Sequence, residues 1–214
     1  QLHACYAGGQ LFFAASDAAI SSCDSAGEHW SHGFLEFREH EQIVSLHDLN
    51  STGEHVLVSH DTGVTLMHYI QESDEFLVDW NLHTLGDFPV QEPVLAAATL
   101  GSRIVFASSL GLAVGTDFPI APASIETFHN PSNIGTIAQA RLVAGSERVY
   151  ALLSDDVGAS VCWSISESGA WQEEFGDLEI DEIYAHTVDG SDWALAYKSG
   201  SQKFVRSMGD HPFV

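Results

Sequence analysis

A chain of 214 residues, 45% hydrophobic and only 17% charged, is long enough to bury one proper core and has the composition of a folded, soluble β-protein. Seven basic residues against 30 acidic ones leave a net charge of −23, and Lys198 and Lys203 are the only lysines. Such a surface repels nucleic-acid phosphates and anionic lipid, which excludes both as direct partners.

Gly9, Gly53, Gly101, Gly145 and Gly190 recur at intervals of 44, 48, 44 and 45 residues, each followed by a short apolar run that ends in serine. In the first unit, residues 1–40, the run is 11–16. The second, 41–90, has 56–59 followed by the turn His60-Asp61-Thr62-Gly63. The third, 91–134, has 104–108 inside the apolar stretch 94–115, which is the one candidate membrane span. Arg103 near its centre and the Gly101-Ser102 turn make that stretch two buried strands instead. The fourth unit, 135–180, is the clearest: strands at 137–144, 148–154, 159–164 and 170–175, with turns at Asp155-Asp156-Val157-Gly158 and Ser166-Glu167-Ser168-Gly169. The fifth, 181–214, has the run 193–199 and the turn Ser199-Gly200, and is too short for a full fourth strand. Asp and Gly suit these turns because they tolerate the left-handed backbone of two-residue hairpins.

A repeat in the forties with four strand-sized pieces predicts an all-β fold, a β-propeller of about five four-stranded antiparallel blades in a single domain, 1–214. A leucine-rich repeat takes only about 20–29 residues, whereas a blade takes about 40–50. Part of a six- or seven-bladed ring and an ordinary two-sheet sandwich are the alternatives. The first strand of each unit, near His3, Val44, Leu95, Arg141 and Tyr184, is expected to lie nearest the axis, with the five glycines in equivalent turns. Sustained helical spacing occurs nowhere.

Two segments carry a family-like mark. Ser22-Cys23-Asp24-Ser25-Ala26-Gly27-Glu28-His29-Trp30 resembles the Asp-box of sialidase-type propellers, with one residue inserted and His29 in the Thr place. Ser164-Ile165-Ser166-Glu167-Ser168-Gly169-Ala170-Trp171 resembles it with Ser166 in the Asp place. The resemblance implies a structural turn between third and fourth strands, built from Asp24, Gly27 and Trp30 and again from Ser166, Gly169 and Trp171. It also implies that the Asp accepts backbone hydrogen bonds and that each Trp packs between blades. The segments 57–69 and 153–163 look like the middle strands of WD repeats, without the Trp-Asp dipeptide.

Cys5 and Cys23 fall on a first and a third strand, about 9–10 Å apart and beyond disulfide reach, and Cys162 is three units away. All three are expected to be buried thiols. The 12 histidines include the groups His29/His32 and His55/His60, but none has metal-ligand spacing, and they read as surface or turn residues. Asp177, Glu179 and Asp181 share one face of an extended segment and are the one weak calcium candidate; a solvated strand edge is the plainer reading. A sialidase-like hydrolase needs converging arginines, yet only Arg38, Arg103, Arg141, Arg148 and Arg206 exist, and Arg141 alone lies on a first strand. Neither a nucleophile elbow nor a phosphate loop is present.

The expected function is a non-catalytic protein-binding or assembly module, such as a structural subunit of a virion or tail particle. Its partner would be a protein with a basic surface, with no cofactor and no membrane insertion. A glycan-binding lectin is the alternative, with Trp30, Trp80 and Trp171 as recurring aromatics, and a degenerate glycosidase is the second. The sequence opens on Gln1 with no secretory leader, as a processed or trimmed product would.

Overall fold

The computed structural model describes residues 3–7, 10–14, 19–24, 30–36, 43–49, 55–60, 63–70, 75–81, 94–115, 125–175, 180–188, 191–198 and 203–207. They form five sheets, each a meander of consecutive antiparallel strands, and no helix occurs among them. The first sheet holds β1 (His3–Ala7), β2 (Gln10–Ala14), β3 (Ala19–Asp24) and β4 (Trp30–Glu36). The second holds β5 (Ile43–Asp48), β6 (His55–His60), β7 (Gly63–Ile70) and β8 (Glu75–Asn81). The third holds β9 (Ala96–Leu100), β10 (Arg103–Ser108), β11 (Gly111–Gly115) and β12 (Ile125–His129). The fourth holds β13 (Ile137–Ala144), β14 (Arg148–Asp155), β15 (Ser160–Ser166) and β16 (Trp171–Glu174). The fifth has three strands among the described residues, β17 (Glu182–Val188), β18 (Ser191–Lys198) and β19 (Lys203–Ser207).

The apolar stretch 94–115 is three strands, not two, because Ser109 and Leu110 form a second turn between β10 and β11. Gly101, with φ of 56°, and Gly145 both lie between the first and second strands of their sheets. Gly9, Gly53 and Gly190 lie outside the described residues.

The chain divides into two compact units, residues 1–97 with 117–124, and residues 98–116 with 125–214. In the first unit, the middle strand β6 is buried along its whole length, which is why Val56, Leu57 and Val58 run together without polar alternation. This burial overturns the surface reading of two histidines: His55 and His60 are 3% and 0% exposed. A strand covered on both faces has no solvent side, and His60 Nε2 lies 3.2 Å from the Thr65 hydroxyl, which satisfies it.

In the second unit, the fourth sheet is packed on both faces. Pairing puts Val149 opposite Ile165 and Ile165 opposite Trp171, and this face meets Ala98, Leu100, Val105 and Val114 of the third sheet. The other face carries Tyr150, Leu152 and Cys162 against Ile180 and Ile183 at the start of the fifth sheet. Neither face is wide enough to be buried alone, so neighbouring sheets supply the cover. Each fully buried aliphatic side chain contributes about 1.5–3 kcal/mol. Cys23 and Cys162 are free, buried thiols; burial, and then the Glu174 carboxylate, push the Cys162 thiol well up.

Candidate functional site

The two Asp-box-like segments occupy corresponding places. Asp24 ends β3 and Ser166 ends β15; Trp30 pairs with Cys23 as Trp171 pairs with Ile165. Gly27 and the Asp24 and Trp30 side chains lie outside the described residues. At the second segment the Ser166 carbonyl accepts from Gly169 N–H at 2.9 Å, Ser166 N–H donates to the Ala170 carbonyl at 3.3 Å, and Gly169 has φ of 85°. The Ser166 hydroxyl reaches only Ser168, at 2.8 Å.

The same backbone pattern closes the β14–β15 turn, with Gly158 at φ of 90°. This is a three-residue loop with its left-handed residue last, not the two-residue turn expected from its sequence. Here a carboxylate does cap the turn: Asp155 Oδ1 accepts from Val157 N–H at 3.1 Å and Ala159 N–H at 2.8 Å.

Trp171 packs into the core between the third and fourth sheets. His129 stacks on it at 5.2 Å between centroids and 19° between planes, and tilts against Trp163 at 4.2 Å. Among the described residues His129 Nε2, Trp163 Nε1 and Trp171 Nε1 are buried and have no hydrogen-bond partner. Desolvation lowers the His129 pKa from 6.5.

A serine and a histidine that the sequence does not flag meet on β5. Ser45 Oγ lies 2.8 Å from His47 Nε2 and donates to the Val94 carbonyl at 2.9 Å. His47 Nε2 is 3.3 Å from the same carbonyl. A hydroxyl has one proton; spent on Val94, it leaves Oγ as acceptor and His47 Nε2 as the donor, so that nitrogen is not poised as a base toward Ser45. Val94 N–H in turn donates to Ser59 Oγ at 2.8 Å. The group therefore fastens the chain at Val94 to the second sheet.

A buried polar relay runs through the fourth sheet. Arg148 Nη1 donates to Ser164 Oγ at 3.0 Å, and Ser164 Oγ donates to Glu174 Oε1 at 2.7 Å, with Glu174 only 5% exposed. Arg103 and Arg148 start corresponding strands, but Arg103 reaches across to the fourth sheet's Gly169 while Arg148 turns into its own sheet. Among the described residues no group of three His, Cys, Asp or Glu side chains could hold a metal ion. Of the calcium candidates, Asp181 is exposed, while Asp177 and Glu179 lie outside the described residues.

The remaining surface of note is one end of the third and fourth sheets. Ile137 N–H donates to the Ser109 carbonyl at 3.1 Å, and Ile137 pairs with Asp155, so the β10–β11 and β14–β15 turns flank one residue. Leu110 and Val157, at their tips, are 45% and 83% exposed. Asp156 is exposed beside Val157, and Glu173 Oε1 accepts from Asn133 at 2.8 Å in the exposed loop leading to β13. An apolar residue in the middle of a polar turn is the sequence signal that could have marked these tips.

No family model matches the chain, and no curated protein matches it in sequence. Solved structures do match in fold. The β-propeller domain of Cps50 (Swd1) from Myceliophteria thermophila superposes with a TM-score of 0.59 at 12% identity, over 97% of this chain and 72% of that one. Streptogramin B lyase gives 0.57 at 12%, over 99% and 68%. A S. cerevisiae complex of Dbp5 bound to Nup159 and Gle1 gives 0.57 at 10%, over 97% and 60%. The chain covers 61% and 60% of the first two chains it is compared with. Identities this low establish the fold alone, and that fold is a β-propeller.

Proposed function

We propose that this propeller is a non-catalytic binding module that docks a basic protein through the turns at the end of its third and fourth sheets. The observation that carries the reading is the exposure of Leu110 and Val157 on turns flanking Ile137, next to Asp155 and Asp156. Isolated exposed apolar residues are ordinary, but two on adjoining loop tips beside carboxylates suit an interface with an apolar centre and a charged rim. The net charge of −23 selects a partner rich in Lys and Arg. In kind, the reading is supported by Nup159, which is found bound to other proteins. The fold does not argue against catalysis, since a lyase shares it; the commitment of Ser45 to Val94 and of Ser164 to Glu174 favours binding over chemistry.

In this reading the chain is one domain of five repeat units, and the turns at Asp24, Gly27 and Trp30 and at Ser166, Gly169 and Trp171 are structural. The packing of Trp171 into the core supports that role over a glycan platform. Affinity capture from the native source with the wild type and with the Leu110→Ser/Val157→Ser variant tests the proposal. A partner with a basic surface should be retained by the first and lost by the second. Equal capture by a variant that melts like the wild type overturns it.

A further inference from the structure

The first strands of the fourth and fifth sheets bring together an arginine and a tyrosine that neither the turns nor the core employ. Arg141 on β13 is exposed, and its guanidinium carbon stands 4.9 Å from the centroid of the Tyr184 ring on β17. Tyr184 is itself 40% exposed, and its hydroxyl donates to Glu182 Oε2. Among the described residues Arg141 has no hydrogen bond or ion pair. That is unexpected in a chain with 30 carboxylates and seven basic residues.

The geometry explains why the guanidinium is left open. The nearest carboxylate on the neighbouring strand, Glu182, is engaged by the tyrosine hydroxyl. The ring holds the guanidinium in a cation–π contact within the usual 6 Å limit. Its N–H donors form the fork that matches a carboxylate in a bidentate bond. Gln139, also exposed and two residues along the same strand, adds an amide that can donate or accept.

We propose that Arg141, seated on Tyr184, binds the carboxylate of a small organic acid, with Tyr184 and Glu182 as positioning residues. A small monoanion fits better than an acidic macromolecule because a chain of net charge −23 repels a multiply charged partner far more strongly than a single charge. The site lies within the first strands β13 and β17 and not on the Leu110 and Val157 turns, and it stands or falls apart from the protein-docking reading.

The test is an NMR titration of the full chain with benzoate, its neutral isostere benzamide, and inorganic phosphate at matched ionic strength, read at the Arg141 Nε–H and Tyr184 ring resonances. Benzoate should give saturable shifts at both, and benzamide and phosphate should not. Arg141→Gln should weaken benzoate about tenfold or more, and Arg141→Lys should recover only part of this because an ammonium cannot form the fork. Tyr184→Phe keeps the ring but frees Glu182 to compete for Arg141, so it should weaken benzoate, and adding Glu182→Gln should restore it. That rescue is a readout a merely structural tyrosine would not give. Equal shifts from all three probes, unchanged affinity in Arg141→Gln, or no rescue by Glu182→Gln would overturn the proposal; thermal melts check that each variant is folded.

Discussion

The guanidinium of Arg103 lies against Gly169, so that a Cβ at Gly169 would stand 2.9 Å from Nη1. The contact is reciprocal: Glu167, two residues before Gly169, reaches back to Gly101, where a Cβ would stand 2.7 Å from Oε1. Two turns from different sheets thus interlock through a charged side chain laid on each other's glycine. Both glycines also have left-handed backbone, with φ of 56° and 85°. Gly101 therefore serves two needs at once, turn conformation and close approach of the neighbouring sheet.

Comparing Gly169 with Gly158 separates those needs. Gly158→Ala pays only the left-handed backbone penalty, about 1–2 kcal/mol, because nothing lies within 4 Å of the added methyl. Gly169→Ala should cost more, since Arg103 must also move. Urea denaturation of both variants, alone and in an Arg103→Ala background, checks this. The excess cost at Gly169 should vanish when Arg103 is truncated, and an excess that persists would place its origin in the backbone.

The sheets of consecutive strands were legible because strand and turn chemistry are local. The glycine spacing and the apolar runs predict sheets of consecutive antiparallel strands, and Gly101 and Gly145 fall between first and second strands. Details that depend on a neighbouring sheet were not legible. His55 and His60 look like surface residues until β6 is covered on both faces. The packing of Trp171 between two sheets follows from the motif it resembles, but the His129 that stacks on it does not. Arg141 could be placed on a first strand from sequence, whereas the tyrosine it would find at 184 depends on how two sheets register. Leu110 was hidden for the opposite reason: it lies in an apolar stretch that suggests burial, whereas Val157 already fell in a turn read from sequence.

Phe175 is the one non-glycine residue with positive φ among the described residues, at 64°, and it packs against the Tyr150, Leu152 and Cys162 cluster. A bulky residue keeps such a conformation only where packing repays about 1–2 kcal/mol of strain. Phe175→Ala and Phe175→Gly lose the same ring, so both should destabilise. Glycine escapes the strain that alanine retains, and Phe175→Gly should be the more stable of the two by about 1 kcal/mol. At an ordinary strand position the order is reversed, and thermal or urea midpoints that put alanine ahead would remove strain from the account.

His129 sets a pH dependence whose sign follows from its burial. Desolvation lowers its folded pKa below 6.5, so the unfolded chain takes up a proton first as pH falls. Stability should therefore fall as pH drops from 6.5 toward the folded value, and level off below it. The 12 histidines and 30 acids all titrate, so the useful quantity is the difference between the wild type and His129→Phe. The difference between their urea midpoints should be constant at high pH and shift below 6.5, with the phenylalanine variant losing less.

The last expectation concerns association. A chain of net charge −23 that presents Leu110 and Val157 beside Asp155 and Asp156 should attract a basic partner from a distance and hold it through apolar contact. Long-range attraction is screened over about 8–10 Å at ordinary ionic strength, so salt acts mainly on the association rate. Contact between apolar tips is insensitive to screening, and the dissociation rate should change little. Asp156→Lys should therefore slow association and flatten its salt dependence, while Leu110→Ser/Val157→Ser should speed dissociation. Surface-binding kinetics with the captured partner at low and molar salt resolve the two rates. If association is unchanged or faster in molar salt, the acidity is a solvation property and the interface is mainly apolar.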